Sequence, residues 1–344
     1  MIQKKQERSI LITASLVIIA MVHISIALIY AKSVLIPFTL AIFVVLLVSP
    51  VMDLLIKKFK LPSAIAFVLT ILLVVIFLFL LYIFFSYAIQ MIVATADEYS
   101  KSFAFQMNKV FAYLKVEWNI DMDSQKLTIA IQKQIPKIAS NTFGTVLDFF
   151  SATIFVCIFV LFLLIGYNPK NQPKGIYADI IQKMRKYIAT KSIVSIITGL
   201  LVWITLSAFG LQLAPVFGAM AFLLNFIPSI GSVIATLLPL PIAFAQFQSP
   251  WMITFVILIP GAIQISIGNI IEPKLMGKEL SLHPAAILLA LSFWGLFWGI
   301  IGMFLAVPIT AIIRIILMQF DSLKPIGNLL AGKLPKIESA SETT

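Results

Sequence analysis

Between Lys191 and Glu272 the chain has no charged side chain over 80 consecutive residues, 192–271. Charge is thin throughout, at 11% of 344 residues, against about one quarter in a soluble globular protein. Histidine is almost missing: His23 and His283 stand alone, which excludes a multi-histidine metal site within one chain. The lone cysteine, Cys157, excludes a disulfide framework and reads as a small residue inside an apolar run. No HExxH and no P-loop occurs, so neither a zinc protease centre nor an ATP motor of that class is expected. Gly231-Ser232 lacks the second glycine of a nucleophile elbow, which leaves Ser232 and His283 a poor hydrolase pair. The chain is read as a non-enzyme with no catalytic residue, metal or cofactor.

What fills the space is apolar surface, 61% of the residues. Uncharged runs at 9–31, 33–52, 61–96, 149–169, 192–271 and 280–313 each reach the ~18–20 residues that cross a hydrocarbon core of roughly 30 Å. The fold class that follows is an all-α, polytopic membrane protein whose first partner is the lipid bilayer. The first run is about twice as long as a secretory signal core and lacks a small-x-small site after it, so it reads as a retained helix. The net charge of +11 gathers in the N-terminal head, the 53–60 loop, the 168–191 loop and the tail after Arg314. Such alternation is the positive-inside pattern. It orients helices with both termini in the cytoplasm and calls for no nucleic acid.

Transmembrane helices are expected at about 9–31, 33–55, 62–92, 146–167 and 188–209. After the third, Tyr99, Phe103, Met107, Val110, Phe111 and Leu114 recur at helical spacing, and 119–123 breaks that amphipathic helix before a second one ending at Pro136. This outward-facing pair can lie on the membrane, cover a pathway or contact a second copy in a homo-oligomer. The chain thus divides into helices 1–3 (1–92), an extramembrane helical excursion (93–145), helices 4 and 5 (146–210), a C-terminal core (211–317) and a cytoplasmic tail (318–344).

The core is irregular. As one straight helix, residues 211–245 would span roughly 50 Å, too long for a bilayer, and Pro228-Ser229-Ile230-Gly231 cannot continue a regular helix. Residues 283–313 repeat the problem, with Gly295, Gly299 and Gly302 at their centre and Pro308 beyond. Two topologies follow: eight crossings with broken helices, or six full crossings plus two re-entrant segments. The short arms favour the second. Paired Gly/Pro-interrupted apolar segments point to a translocation site, here Asn225, Pro228, Ser229, Gly231 and Ser232. A packing kink with satisfied polar groups is the competing reading. His23 is either a hydrogen-bonded structural residue or a proton relay, and Trp294 and Trp298 either pack or stack on substrate.

Three stretches carry a resemblance: NFIPSIGS (225–232), GNIIEPKLMGKELSLHP (268–284) and FWGLFWGIIGMFLAVPITAIIRI (293–315). They strongly resemble the AI-2E transporter family, also called the PerM family, a bacterial group named for export of the quorum-sensing signal autoinducer-2. The pattern N-x-x-E-P-x-x-x-G is present as Asn269, Glu272, Pro273 and Gly277, and IP-x-x-G as Ile227, Pro228 and Gly231. The likeness implies a secondary transporter of the bacterial cytoplasmic (inner) membrane that exports a small polar metabolite, coupled to an ion gradient. Some family members look like Na⁺(Li⁺)/H⁺ antiporters, so H⁺ or Na⁺ is the expected ion partner. An uncoupled channel or membrane scaffold is the further alternative.

Cation exchange normally uses carboxylates at membrane depth, and 192–271 and 280–313 contain none. Asp53, Asp148 and Glu272 flank apolar runs, which tilts the reading toward a polyhydroxylated, neutral or weakly anionic solute. Asp148, Glu272 and His23 remain the candidates for proton or ion coupling. Pro273 is expected to break the helix at Glu272, where that carboxylate is either a salt-bridged boundary residue or a gate.

Overall fold

The computed structural model describes residues 2–118, 153–167, 173–276 and 282–333. Asp148, Gly277, Lys278, Glu279 and the second half of the excursion lie outside them. Every regular element among the described residues is helical: α1 Ile2–Tyr30, α2 Lys32–Lys57, α3 Ser63–Trp118, α4 Thr153–Ile165, α5 Ile176–Ala208, α6 Ala214–Leu224, α7 Ile230–Leu237, α8 Leu240–Gln246, α9 Pro250–Ser266, α10 Glu272–Met276, α11 Pro284–Leu317 and α12 Lys324–Leu330. Five spans are long and apolar enough to cross a membrane: Lys32–Lys57, Ser63–Ala88, Ile176–Ala208, Pro250–Leu275 and Pro284–Leu317. Their outer faces carry exposed Leu, Ile, Val and Phe, among them Leu72, Phe79, Ile204, Leu258 and Leu296. Water would not tolerate so much contiguous apolar surface, and lipid does. The chain is a multi-pass membrane protein.

Three elements differ from expectation. The helix expected over 62–92 and the amphipathic helix after it are one element, the 56-residue α3. At about 1.5 Å per residue it is far longer than a bilayer is thick, and nothing between residues 92 and 99 is a helix breaker. Helix α5 begins at Ile176 rather than near 188, so Lys183, Arg185 and Lys186 are helical and not loop residues. Pro273 does not end its helix. Instead the turn before it widens into a π-helical stretch, Ile267–Ile271, and Glu272 keeps helical angles, φ −58° and ψ −49°. A wide turn relieves the clash between a proline ring and the carbonyl four residues earlier.

Both interrupted segments are hairpins of helix. In the first, α6 and α7 are joined by a reversal in which Ser229 takes φ 61° and ψ −57°. The Ile230 N–H donates to the Pro228 carbonyl at 2.6 Å, which closes the strained, positive-φ form of the γ-turn. Gln246 clamps the open end: its Nε2 donates to the Gly210 carbonyl at 2.6 Å, and the Gln212 N–H donates to its Oε1 at 2.8 Å. In the second, the chain doubles back at Gly299, φ 63° and ψ −142°, a backbone region essentially restricted to glycine. The open end is held where the His283 N–H donates to the Leu330 carbonyl at 2.9 Å and Arg314 Nε donates to the Gly327 carbonyl at 3.1 Å.

The two reversals share a device. A Cβ on Gly231 would lie 1.8 Å from the Leu224 carbonyl oxygen, and one on Gly302 would lie 2.0 Å from that of Trp294. Each glycine opens the second arm of its hairpin against the backbone of the first. The tips then meet. Ile227 packs into a cluster with Leu291, Trp294, Trp298 and Leu305, and the Phe226 and Phe304 rings lie 4.7 Å apart. Trp298 also donates from Nε1 to the Leu28 carbonyl at 3.1 Å, one of the carbonyls that the end of α1 leaves unpaired. Both tryptophans are buried packing residues, not exposed stacking surfaces.

Candidate functional site

Where the tip of the first hairpin meets α5 and α9 there is a cavity of about 290 Å³. It brings together most of the residues singled out in sequence. Asn225, Pro228, Ser229 and Ser232 line it from the hairpin, and Asn269 and Glu272 from the far side. Gly231 stands behind this wall as a backbone-packing residue. Pro273 is exposed on α10. His23 is exposed on α1 and bonds through Nδ1 to the Ile19 carbonyl at 2.8 Å, remote in the fold from the cavity. His283 caps the N-terminus of α11, its Nδ1 accepting from the Ala285 N–H at 3.3 Å, and does not line the cavity with Ser232. Asp148 and Gly277 lie outside the described residues.

The centre of the site is an ion pair that sequence reading did not assemble. Lys191 Nζ donates to Glu272 Oε1, joining α5 to the turn where the π-helical stretch meets α10. The Lys191 side chain is 2% exposed and that of Glu272 16%. Neither charge could sit there alone, because burying one unpaired ion costs several kcal/mol even after relaxation. Glu272 is thus salt-bridged and largely buried, which both the boundary reading and the gate reading allow. The π-helical stretch explains its direction. An extra residue in one turn rotates everything after it, and such turns recur at functional sites.

Two amides complete the wall. Asn225 is 3% exposed and donates from Nδ2 to Ser195 Oγ at 2.9 Å, which ties the hairpin tip to α5. Gln264, one helical turn before the π-helical stretch, is equally buried, and neither its Nε2 nor its Oε1 has a partner. Leaving a buried donor or acceptor unmet costs about 1–3 kcal/mol. Gln264 thus brings to the cavity lining an amide whose donor and acceptor are both unmet.

Lys191 and Gln264 are the functional candidates that sequence reasoning passed over. A signal for the first was present: Tyr187, Lys191, Ser195 and Thr198 recur every three or four residues and form the buried face of α5. Reading Lys191 as the last residue of a basic loop hid that stripe. For Gln264 the weaker signal is its spacing of four from Gly268 and eight from Glu272.

A second polar cluster lies among α2, α4 and α5. Tyr167 Oη donates to Asp53 Oδ1 at 2.8 Å, Arg185 Nη2 donates to Tyr167 Oη at 3.0 Å, and Arg185 Nη1 stands 3.7 Å from Asp53 Oδ2. It fastens the ends of three helices and does not reach the cavity.

Comparison with known proteins agrees with the motifs. The family model described as AI-2E family transporter matches residues 16–321. A candidate transport protein of Borreliella burgdorferi is 30% identical over 316 residues, covering 88% of this chain and 86% of its own. The AI-2 transport protein TqsA of Escherichia coli K12 is 27% identical over 316 residues, covering 88% and 90%. A candidate transport protein of Haemophilus influenzae is 30% identical over 315 residues, covering 83% and 87%.

Proposed function

Because this chain belongs to the AI-2E transporter family, we propose that it is a secondary transporter of the bacterial cytoplasmic membrane that moves a small polar solute outward. The solute occupies the cavity beside the first hairpin tip, and its movement is coupled to opening and protonation of the Lys191–Glu272 pair. The observation that carries this reading is the pair itself, buried beside a polar cavity at the tip of the first interrupted apolar segment. Ionisable groups at membrane depth are costly and concentrate on substrate or ion pathways. In this reading both hairpins are re-entrant, the first open to the outside and the second to the cytoplasm, with six full crossings and both termini cytoplasmic. A cavity of about 290 Å³ lies at the lower bound of the usual ligand range, which suits a metabolite.

One observation favours a second reading, Na⁺(Li⁺)/H⁺ antiport: the carboxylate at the cavity is itself a cation ligand once Lys191 releases it. Proteoliposomes with an imposed pH gradient separate the two. Uphill accumulation of a labelled polar solute that collapses with a protonophore supports the first reading. Proton movement triggered by a sodium pulse, without solute accumulation, supports the second. Equilibration that ignores every gradient would leave an uncoupled channel.

A further inference from the structure

We infer that Gln264 is the specificity-determining residue of this cavity and that it reads two neighbouring hydroxyl groups on an uncharged solute. The inference rests on the transporter reading and sharpens its substrate class.

Three observations carry it. First, the Gln264 side chain is buried while both ends of its amide lack a partner. A carboxamide presents a donor and an acceptor side by side in one plane. One isolated hydroxyl can bridge the two only through a pair of bent bonds, which weaken steeply with angle. Two hydroxyls on adjacent carbons meet both, one accepting from Nε2 and the other donating to Oε1. Second, the other buried amide of the wall is already engaged, since Asn225 donates to Ser195. Gln264 is a buried lining amide with both of its ends unmet. Third, the cavity holds one full positive and one full negative charge, and they neutralise each other in the Lys191–Glu272 pair. No net charge remains to draw in an ion. The hydroxyls of Ser229 and Ser232 on the opposite wall add donors and acceptors of the kind that suit a polyol.

The same orphaned amide makes the inference testable without transport. A group held ready for a ligand weakens the empty protein, so Gln264→Leu, similar in size and apolar, should raise the thermal unfolding temperature of the full-length protein in detergent. Methyl ribofuranoside and methyl 2-deoxyribofuranoside (ribose and 2-deoxyribose below) are the probes, since the locked five-membered ring leaves hydroxyls on adjacent carbons only in the first. Ribose should raise the unfolding temperature of the wild type more than 2-deoxyribose does and should leave Gln264→Leu unmoved. In proteoliposomes the wild type should prefer ribose by about tenfold, the worth of one hydrogen bond of ordinary net strength, and in Gln264→Leu that preference should fall to near one. The inference is overturned if Gln264→Leu lowers the unfolding temperature of the empty protein, since its amide then has a structural partner. It is equally overturned if wild type and variant discriminate alike. Should the wild type carry neither sugar faster than empty vesicles, the transporter reading fails for this class. The inference then stands on a ribose-induced shift that needs Gln264, and falls if there is none.

Discussion

At the scale of single residues, the proposed site lies where burial and charge disagree. Lys191 is among the most deeply buried large side chains, and Glu272 is the reason that is tolerable. Removing either partner strands the other. Lys191→Met alone should cost about 3–5 kcal/mol, and adding Glu272→Gln should restore most of that loss. Denaturation of the purified single and double variants checks this, and a double variant no more stable than Lys191→Met would refute it. Glu272 was legible in sequence because it sits in the N-x-x-E-P-x-x-x-G pattern. Lys191 was not, because charge counting assigns every lysine near a span to the loop, and only the true start of α5 puts it one turn past Tyr187 on the buried face. Gln264 was less legible still. A glutamine in an apolar helix looks the same whether or not its amide has a partner, and that depends on neighbours far away in the chain.

At the scale of elements, the interruptions in the two overlong segments were legible in sequence, while the choice between broken crossings and hairpins was left open. Pro228 with Gly231, and Gly299 with Gly302, interrupt runs too long to cross once, and the chain reverses at both places. The clamps at the open ends were not visible, since Gln246 and Gly210 are 36 residues apart and only folding makes them neighbours. Nor was the continuity of α3, whose polar second half keeps helical spacing without a break. Pro273 misled for a physical reason: proline excludes a regular α-helix before it, but a wide turn is another solution. The glycines set the sharpest test. Because a Cβ on Gly231 would fall inside van der Waals range of the Leu224 backbone, Gly231→Ala should cost at least the ~1–3 kcal/mol typical of overpacking. Gly261→Ala, whose nearest neighbour is a Thr236 methyl at 3.4 Å, is the tolerated control. Thermal unfolding of the two variants compares them, and equal stability would contradict the account of the reversal.

At the scale of the whole molecule, the surrounding medium decides the fold class. The broad class was legible from composition alone, because so few charges leave lipid as the only solvent for the long apolar runs. The path of the chain through that solvent is a separate question, and the single cysteine makes it accessible. In a Cys157→Ser background, a cysteine at Gln248 just past the first hairpin should be labelled by a membrane-impermeant reagent from outside. One at the exposed Lys274 should be labelled only from the cytoplasm. Labelling of Lys274→Cys from outside would replace the hairpins with eight crossings. Whether the buried pair couples solute movement to protons is decided by one comparison. Glu272→Gln keeps the shape and a hydrogen-bonding partner for Lys191 but cannot be ionised. In proteoliposomes under an imposed pH gradient, the wild type should accumulate labelled solute against its concentration, and Glu272→Gln should bring it only to equilibrium. Undiminished uphill accumulation by Glu272→Gln would contradict the account.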